Sequence, residues 1–132
     1  MLSFSLSLVI GFIVNVAVGT IVAQLIANPL TRAAMSKFER EKKDMKMGPM
    51  LAGYFIITLI MVLAYPYFGL EGSWIVKGAV LGGFSGAISF VSVYLIVSGW
   101  SLLPPKEMFI SGLVDVASTL STGLVIAFIY NF

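Results

Sequence analysis

Ser111, Asp115, Ser118, Thr119 and Thr122 fall at i, i+4, i+7, i+8 and i+11, a spacing that puts all five side chains on one face of an α-helix. A carboxylate among four hydroxyls can bind or relay a cation or a proton, can tie helices together by hydrogen bonds, or can act as a catalytic acid or base. The third use lacks reagents. The chain has no His and no Cys, which removes imidazole bases, thiolate nucleophiles, disulfides and thiolate metal sites together. No second acid accompanies Asp115 in its stretch, so the chain is expected not to be an enzyme, and a lipid-modifying activity is the remotest reading. No cofactor and no metal is expected.

The surroundings of Asp115 are set by where the other charges lie. The chain has 8 Lys/Arg and 6 Asp/Glu, and all except Asp115 fall outside four uncharged stretches, residues 1–31, 47–70, 78–105 and 108–132. Each stretch exceeds the roughly 20 residues that cross a hydrocarbon layer of about 30 Å. With 59% hydrophobic residues and a mean hydropathy of +1.03, little polar material remains for a soluble domain. In lipid each span must satisfy its own backbone, which selects helices, and the ten-residue alternation of a barrel is missing. The expected fold is all-α, an integral membrane four-helix bundle in one domain over residues 1–132. Its spans cover about 4–28, 49–68, 74–100 and 107–130, with a basic segment at 31–47. The first span has no basic leader and no cleavage site, so it is expected to be retained rather than removed as a signal peptide.

Nine charges lie between Arg32 and Lys46, six of them basic: Arg32, Lys37, Arg40, Lys42, Lys43 and Lys46. The positive-inside rule makes this segment cytoplasmic and both termini external, in an inner-membrane, multi-pass protein. Tyr65, Tyr67, Trp74 and Tyr130 then mark the outer headgroup level, and Trp100 and Tyr54 the inner one. The basic residues suit anionic lipid better than nucleic acid. Opposite charges at i,i+4 (Lys37/Glu41, Glu39/Lys43, Arg40/Asp44) and the Ser36/Glu39 capping spacing allow a short interfacial or protruding helix here; a plain solvated connector that fixes topology is the default reading, and lipid or partner docking through such a helix the sharper one. Asn28-Pro29 predicts a kink or a new helix start at the end of the first span.

Two small-residue stripes predict where helices touch, because lipid removes the hydrophobic drive and leaves close packing and hydrogen bonds. One is Gly11, Asn15, Gly19, Ala23 and Ala27; the other is Gly78, Gly82, Gly86 and Ser89. Asp115 lies about 10 Å beyond Met108 at 1.5 Å per residue, where an ionised carboxylate costs on the order of 3 kcal/mol and seeks a partner. Asn15, Gln24, Asn28 and the serines of the third span are the expected donors. An echo between Val9-Ile10-Gly11-Phe12 and Val80-Leu81-Gly82-Gly83-Phe84 raises two parallel hairpin repeats as one arrangement of the bundle.

With its small-residue first span ending in Asn28-Pro29-Leu30, basic segment, glycine-rich third span and acid in the fourth, the chain resembles uncharacterised small four-span bacterial membrane proteins. Those often carry aromatic residues around the corresponding Pro, where this chain has Gln24 and Ala27. The resemblance implies no activity. The chain does not resemble the small multidrug transporters, whose carboxylate is in the first span, and it lacks the motifs of small fluoride channels. The expectation is therefore a protein that acts by helix packing in the bilayer, as a homo-oligomer or accessory subunit of a larger membrane complex. The alternative is a small ion or solute transporter or channel using the Asp115 face.

Overall fold

A computed structural model describes residues 1–132, apart from the side chain of Lys42. The four apolar stretches form helices α1 (Leu2–Met35), α2 (Met47–Tyr67), α3 (Trp74–Trp100) and α4 (Pro105–Asn131), each long and apolar enough to cross a membrane. Among the described residues there is no strand, and the protein is an all-α four-helix bundle. Local chemistry sets the helix ends. Pro49 lies in the first turn of α2, where a missing N–H costs nothing. A tight turn at Tyr65–Tyr67 around Pro66 closes α2. Gly72 turns the chain at φ +120°, backbone that favours glycine. Ser73 then caps α3, its Oγ accepting from the Val76 N–H at 3.5 Å. Pro105 and Glu107 open α4.

Helix α4 is the centre of the bundle. It packs along both α1 and α3, while α2 leans mainly on α1. The contact between α3 and α4 is made by backbone meeting backbone. A Cβ on Gly78 would stand 2.7 Å from the Gly123 carbonyl oxygen, and one on Gly82 would stand 2.6 Å from Leu120 Cα. Gly86 faces Thr119 and Val116, and on α4 Gly112 faces the Val91 backbone. On α1, Gly11 lies against Thr58, and Gly19 admits the phenol of Tyr54. Such approach yields dispersion and weak backbone contacts that bulkier residues would prevent. A small apolar core of Met61, Val62, Leu81 and Ile126 fills the end opposite the basic segment. Beside it, Tyr65 meets Tyr130 at 5.0 Å and Trp74 meets Phe128 at 5.3 Å.

Two wide, π-type turns interrupt the α-helical pattern, at Ala23–Ala27 in α1 and Ala87–Ser92 in α3. Their effect follows from helix geometry. Gly19 and Thr31 are both buried although twelve residues apart, a spacing that regular α-helix would rotate by about 120°. A turn that absorbs one extra residue reduces the interval to an effective eleven, about 20° from three full turns. Gly86 and Ser98, also buried, stand twelve apart across the second wide turn. The Val9/Val80 echo aligns residues 71 apart, whereas these two buried pairs are 67 apart. The helices thus share the device but not that register.

The first wide turn also accounts for Asn28-Pro29, where the sequence suggests a kink or a new helix start: regular α-helix begins again at Asn28, with Pro29 in its first turn, and no break separates it from the rest of the span. Pro29 lacks an N–H and its ring crowds the carbonyl four residues back. Immediately before it the backbone is already widened, with the Asn28 N–H donating to the Ala23 carbonyl five residues away. Helix α1 therefore continues to Met35. Beyond it the short interfacial or protruding helix that the charge pairs allow is absent. Residues 36–41 form turns and irregular backbone, followed by one tight turn at Lys42–Asp44. None of the three i,i+4 pairs forms among the described residues. Lys43 instead meets Glu41 at 2.8 Å, both about three-quarters exposed. Phe38 and Met45 stay exposed rather than buried on a partner, and surface pairs worth a few tenths of a kcal/mol do not by themselves offset helix nucleation.

Candidate functional site

Asp115 stands ten residues into α4, about 15 Å along the helix axis from Pro105. With Ser111 it faces a cavity of about 330 Å³ between α1, α3 and α4. Ala23, Ala27 and Thr31 form the α1 wall, and Tyr94 the α3 wall; Met35, Glu39 and Leu103 surround the mouth, which opens at the end of the bundle carrying the basic segment. The first wide turn forms one side of this cavity. The second lets Tyr94 reach it: eight residues after Gly86, a regular helix would turn Tyr94 about 80° away from α4, and one absorbed residue restores the alignment to about 20°.

Tyr94 Oη donates to Asp115 Oδ2 at 2.9 Å. This corrects the expected donors. Asn15 is engaged elsewhere, its Nδ2 donating to Thr58 Oγ1 on α2 at 3.1 Å, and Gln24 is exposed. Asn28 borders the cavity without bonding to Asp115. Ser92 and Ser98 donate to carbonyls of their own helix, Ala87 and Leu95. Tyrosine was read in the sequence only as a headgroup marker, yet a phenol six residues inside Trp100 is the group with reach enough to bridge two helices. Tyr54, placed by the sequence at the inner edge, is likewise seven residues into α2, its ring across Gly19.

The polar face of α4 divides at Asp115. On the cavity side Ser111 is partly exposed. On the other side Ser118, Thr119 and Thr122 are wholly buried. Their hydroxyls donate to carbonyls of their own helix: Ser118 to Asp115 at 2.7 Å, Thr119 to Val116 at 2.9 Å and Thr122 to Ser118 at 2.8 Å. Thr119 also lies against Gly82 and Gly86. This half is dry helix contact, and in a single chain the cavity ends at Asp115. Two buried polar atoms, Asn15 Oδ1 and Ser7 Oγ, have no partner among the described residues.

A second cavity of about 220 Å³ lies between α2 and α3, lined by Pro49, Gly53, Tyr54 and Phe90, and Tyr94 borders both cavities. Arg32, Lys37, Arg40, Lys43 and Lys46 are exposed; the side chain of Lys42 lies outside the described residues. None of those exposed cations lines the larger cavity, whose charged residues among those described are Asp115 and Glu39. Two carboxylates with the Ser111 and Thr31 hydroxyls and the Asn28 amide favour a cation and repel an anion. Among the described residues no three His, Cys, Asp or Glu side chains converge on a metal position.

No family model and no solved structure matches the chain. It is similar to an uncharacterized MscS family protein of Archaeoglobus fulgidus, with 33% identity over 109 residues, 82% of this chain. The chain spans 38% of the length of that relative. With four helices apolar enough to span and this likeness, the chain is a multi-pass membrane protein.

Proposed function

We propose that the protein is a cation-handling component of a membrane transport or channel-like assembly, with Asp115 as the acceptor at the floor of the cavity. The observation that carries this reading is the cavity itself: it exposes an intramembrane carboxylate at one end of the bundle and, among the described residues, brings no basic side chain to it. Intramembrane carboxylates facing water-filled space commonly bind or relay cations, and the likeness to an MscS family protein is compatible with a channel-like role. The basic segment orients the mouth toward the cytoplasm by the positive-inside rule, which leaves both termini outside. Beyond Asp115 the α3–α4 contact closes the route, so passage requires either a movement of these helices or a second subunit. For that reason the working form is a homo-oligomer or a larger complex, consistent with packing in the bilayer as its means of assembly.

The test is ion flux in proteoliposomes. Wild-type protein carries protons or monovalent cations down an imposed gradient, and Asp115→Asn abolishes this while retaining helix content by circular dichroism. Equal flux through wild type and Asp115→Asn removes the carboxylate from the mechanism. A dry, flux-free protein purified with a stoichiometric partner would favour a purely structural subunit.

A further inference from the structure

We infer that the Asp115 cavity takes an organic monovalent cation, an ammonium with an apolar body, in preference to an inorganic ion. This deepens the proposed function and rests on Asp115 being a cation site. Size is the first argument. A water molecule occupies about 30 Å³ of liquid, so about 330 Å³ is roughly ten times what a bare ion or hydronium fills and falls within the range of small-molecule pockets, about 300–1,000 Å³.

The lining is the second argument. A dehydrated inorganic cation needs a shell of several oxygen ligands. Here Ala23, Ala27, Leu103 and Met108 supply hydrocarbon and thioether surface along most of the wall, which suits the body of an organic ion. The position of the charges is the third. Asp115 lies in the lining beside Tyr94, whose oxygen is held 2.9 Å from the carboxylate. An ammonium beside Asp115 therefore meets an anion in a cavity that an aromatic side chain also lines, and an alkylated ammonium is weakly hydrated and drawn to aromatic rings. Glu39 at the mouth raises the local concentration of cations despite the basic residues outside.

The experiment is equilibrium binding of radiolabelled benzyltrimethylammonium to the full chain in zwitterionic-lipid nanodiscs. Saturable binding is expected, undisturbed by benzoate and by equimolar neopentylbenzene, the uncharged carbon isostere. Asp115→Asn weakens it at least tenfold, and Tyr94→Ala does likewise, whereas Tyr94→Phe, which keeps the ring, changes it by less than threefold. Ser111→Leu, which fills the cavity without touching a charge, also abolishes binding and stands in if Asp115→Asn does not fold. Displacement by neopentylbenzene as effective as by the unlabelled cation, displacement by equimolar sodium, or undiminished binding to folded Asp115→Asn overturns the assignment. Asp115-dependent flux of inorganic cations with no benzyltrimethylammonium bound overturns it and leaves the transport reading standing; saturable binding with no flux does the reverse.

Discussion

Adding one methyl group at Gly82 should separate the two most intimately packed helices. The new Cβ would stand 2.6 Å from Leu120 Cα and closer still to the Thr119 carbonyl oxygen. Ordinary contact begins near 3.4 Å, and both neighbours are backbone, so no rotamer change relieves the overlap. The helices must part by on the order of 1 Å, which breaks the whole Gly78–Gly82–Gly86 contact with α4 rather than one pair. Overpacking of this kind costs about 3 kcal/mol, roughly a hundredfold in the ratio of folded to unfolded protein. Gly123 is the counterpart from the other side: its Cβ would reach the Gly78 carbonyl oxygen and stand 2.8 Å from the Gly82 nitrogen. One separation relieves both clashes, so Gly82→Ala with Gly123→Ala should cost much less than the sum of the singles. Gly53 and Gly99, with nothing within 4 Å of a Cβ, are the controls and should lose nothing on conversion to Ala. The assay is denaturation by sodium dodecyl sulfate in mixed micelles, followed by circular dichroism. If Gly82→Ala unfolds at the wild-type detergent fraction, or if the double variant shows the full sum, the contact is not the one described.

Asn15 should tolerate Leu better than Ala. Its amide gives one bond to a Thr58 hydroxyl already directed at the Tyr54 carbonyl, and its Oδ1 is buried without a partner. Asn15→Leu keeps the branching and the number of heavy atoms and exchanges the unpaired polar atom for slight overpacking, so it should cost less than about 2 kcal/mol, while Asn15→Ala leaves a void and should cost more than Asn15→Leu in the same denaturation assay. Because the chain has no native cysteine, single replacements report topology directly. Met45→Cys should react with an impermeant maleimide only from the cytoplasmic side and Gly69→Cys only from the outside; the reverse pattern would invert the cavity. Glu41→Ala removes an ion pair about three-quarters exposed and should shift stability by less than about 1 kcal/mol, and a larger loss would mean that the basic segment packs against something.

The helical spans were legible because charge sorting between water and lipid is a whole-chain property. The stripes of Gly11, Gly19, Gly78, Gly82 and Gly86 were legible because close approach admits few residue types. Their counterparts Gly112 and Gly123 stand at no four-residue interval, so no stripe marks them. Asp115 stood out by its charge, and its polar face was correctly periodic. What periodicity could not say was which half of that face is wet. The answer depends on where α3 touches α4, and that contact belongs to the other helix. Tyr94 stayed hidden for a related reason: its direction is set by the wide turn at Ala87–Ser92, and no residue type in Ala-Ile-Ser-Phe-Val-Ser marks such a turn.

Those two wide turns also decide where the chain can lose a residue. Shortening α1 or α3 by one amino acid within a regular stretch would swing everything downstream by about 100°, carrying Thr31 or Tyr94 away from α4. Deletion of a single codon inside Ala87–Ser92 instead leaves ordinary α-helix with its flanks still in phase, whereas the same deletion inside Ala23–Ala27 keeps the phase but returns Pro29 to regular helix, where its ring meets the carbonyl four residues back. Length variation among descendants of this chain should accordingly be tolerated within Ala87–Ser92, tolerated within Ala23–Ala27 only where Pro29 is replaced as well, and rejected elsewhere in the same helices.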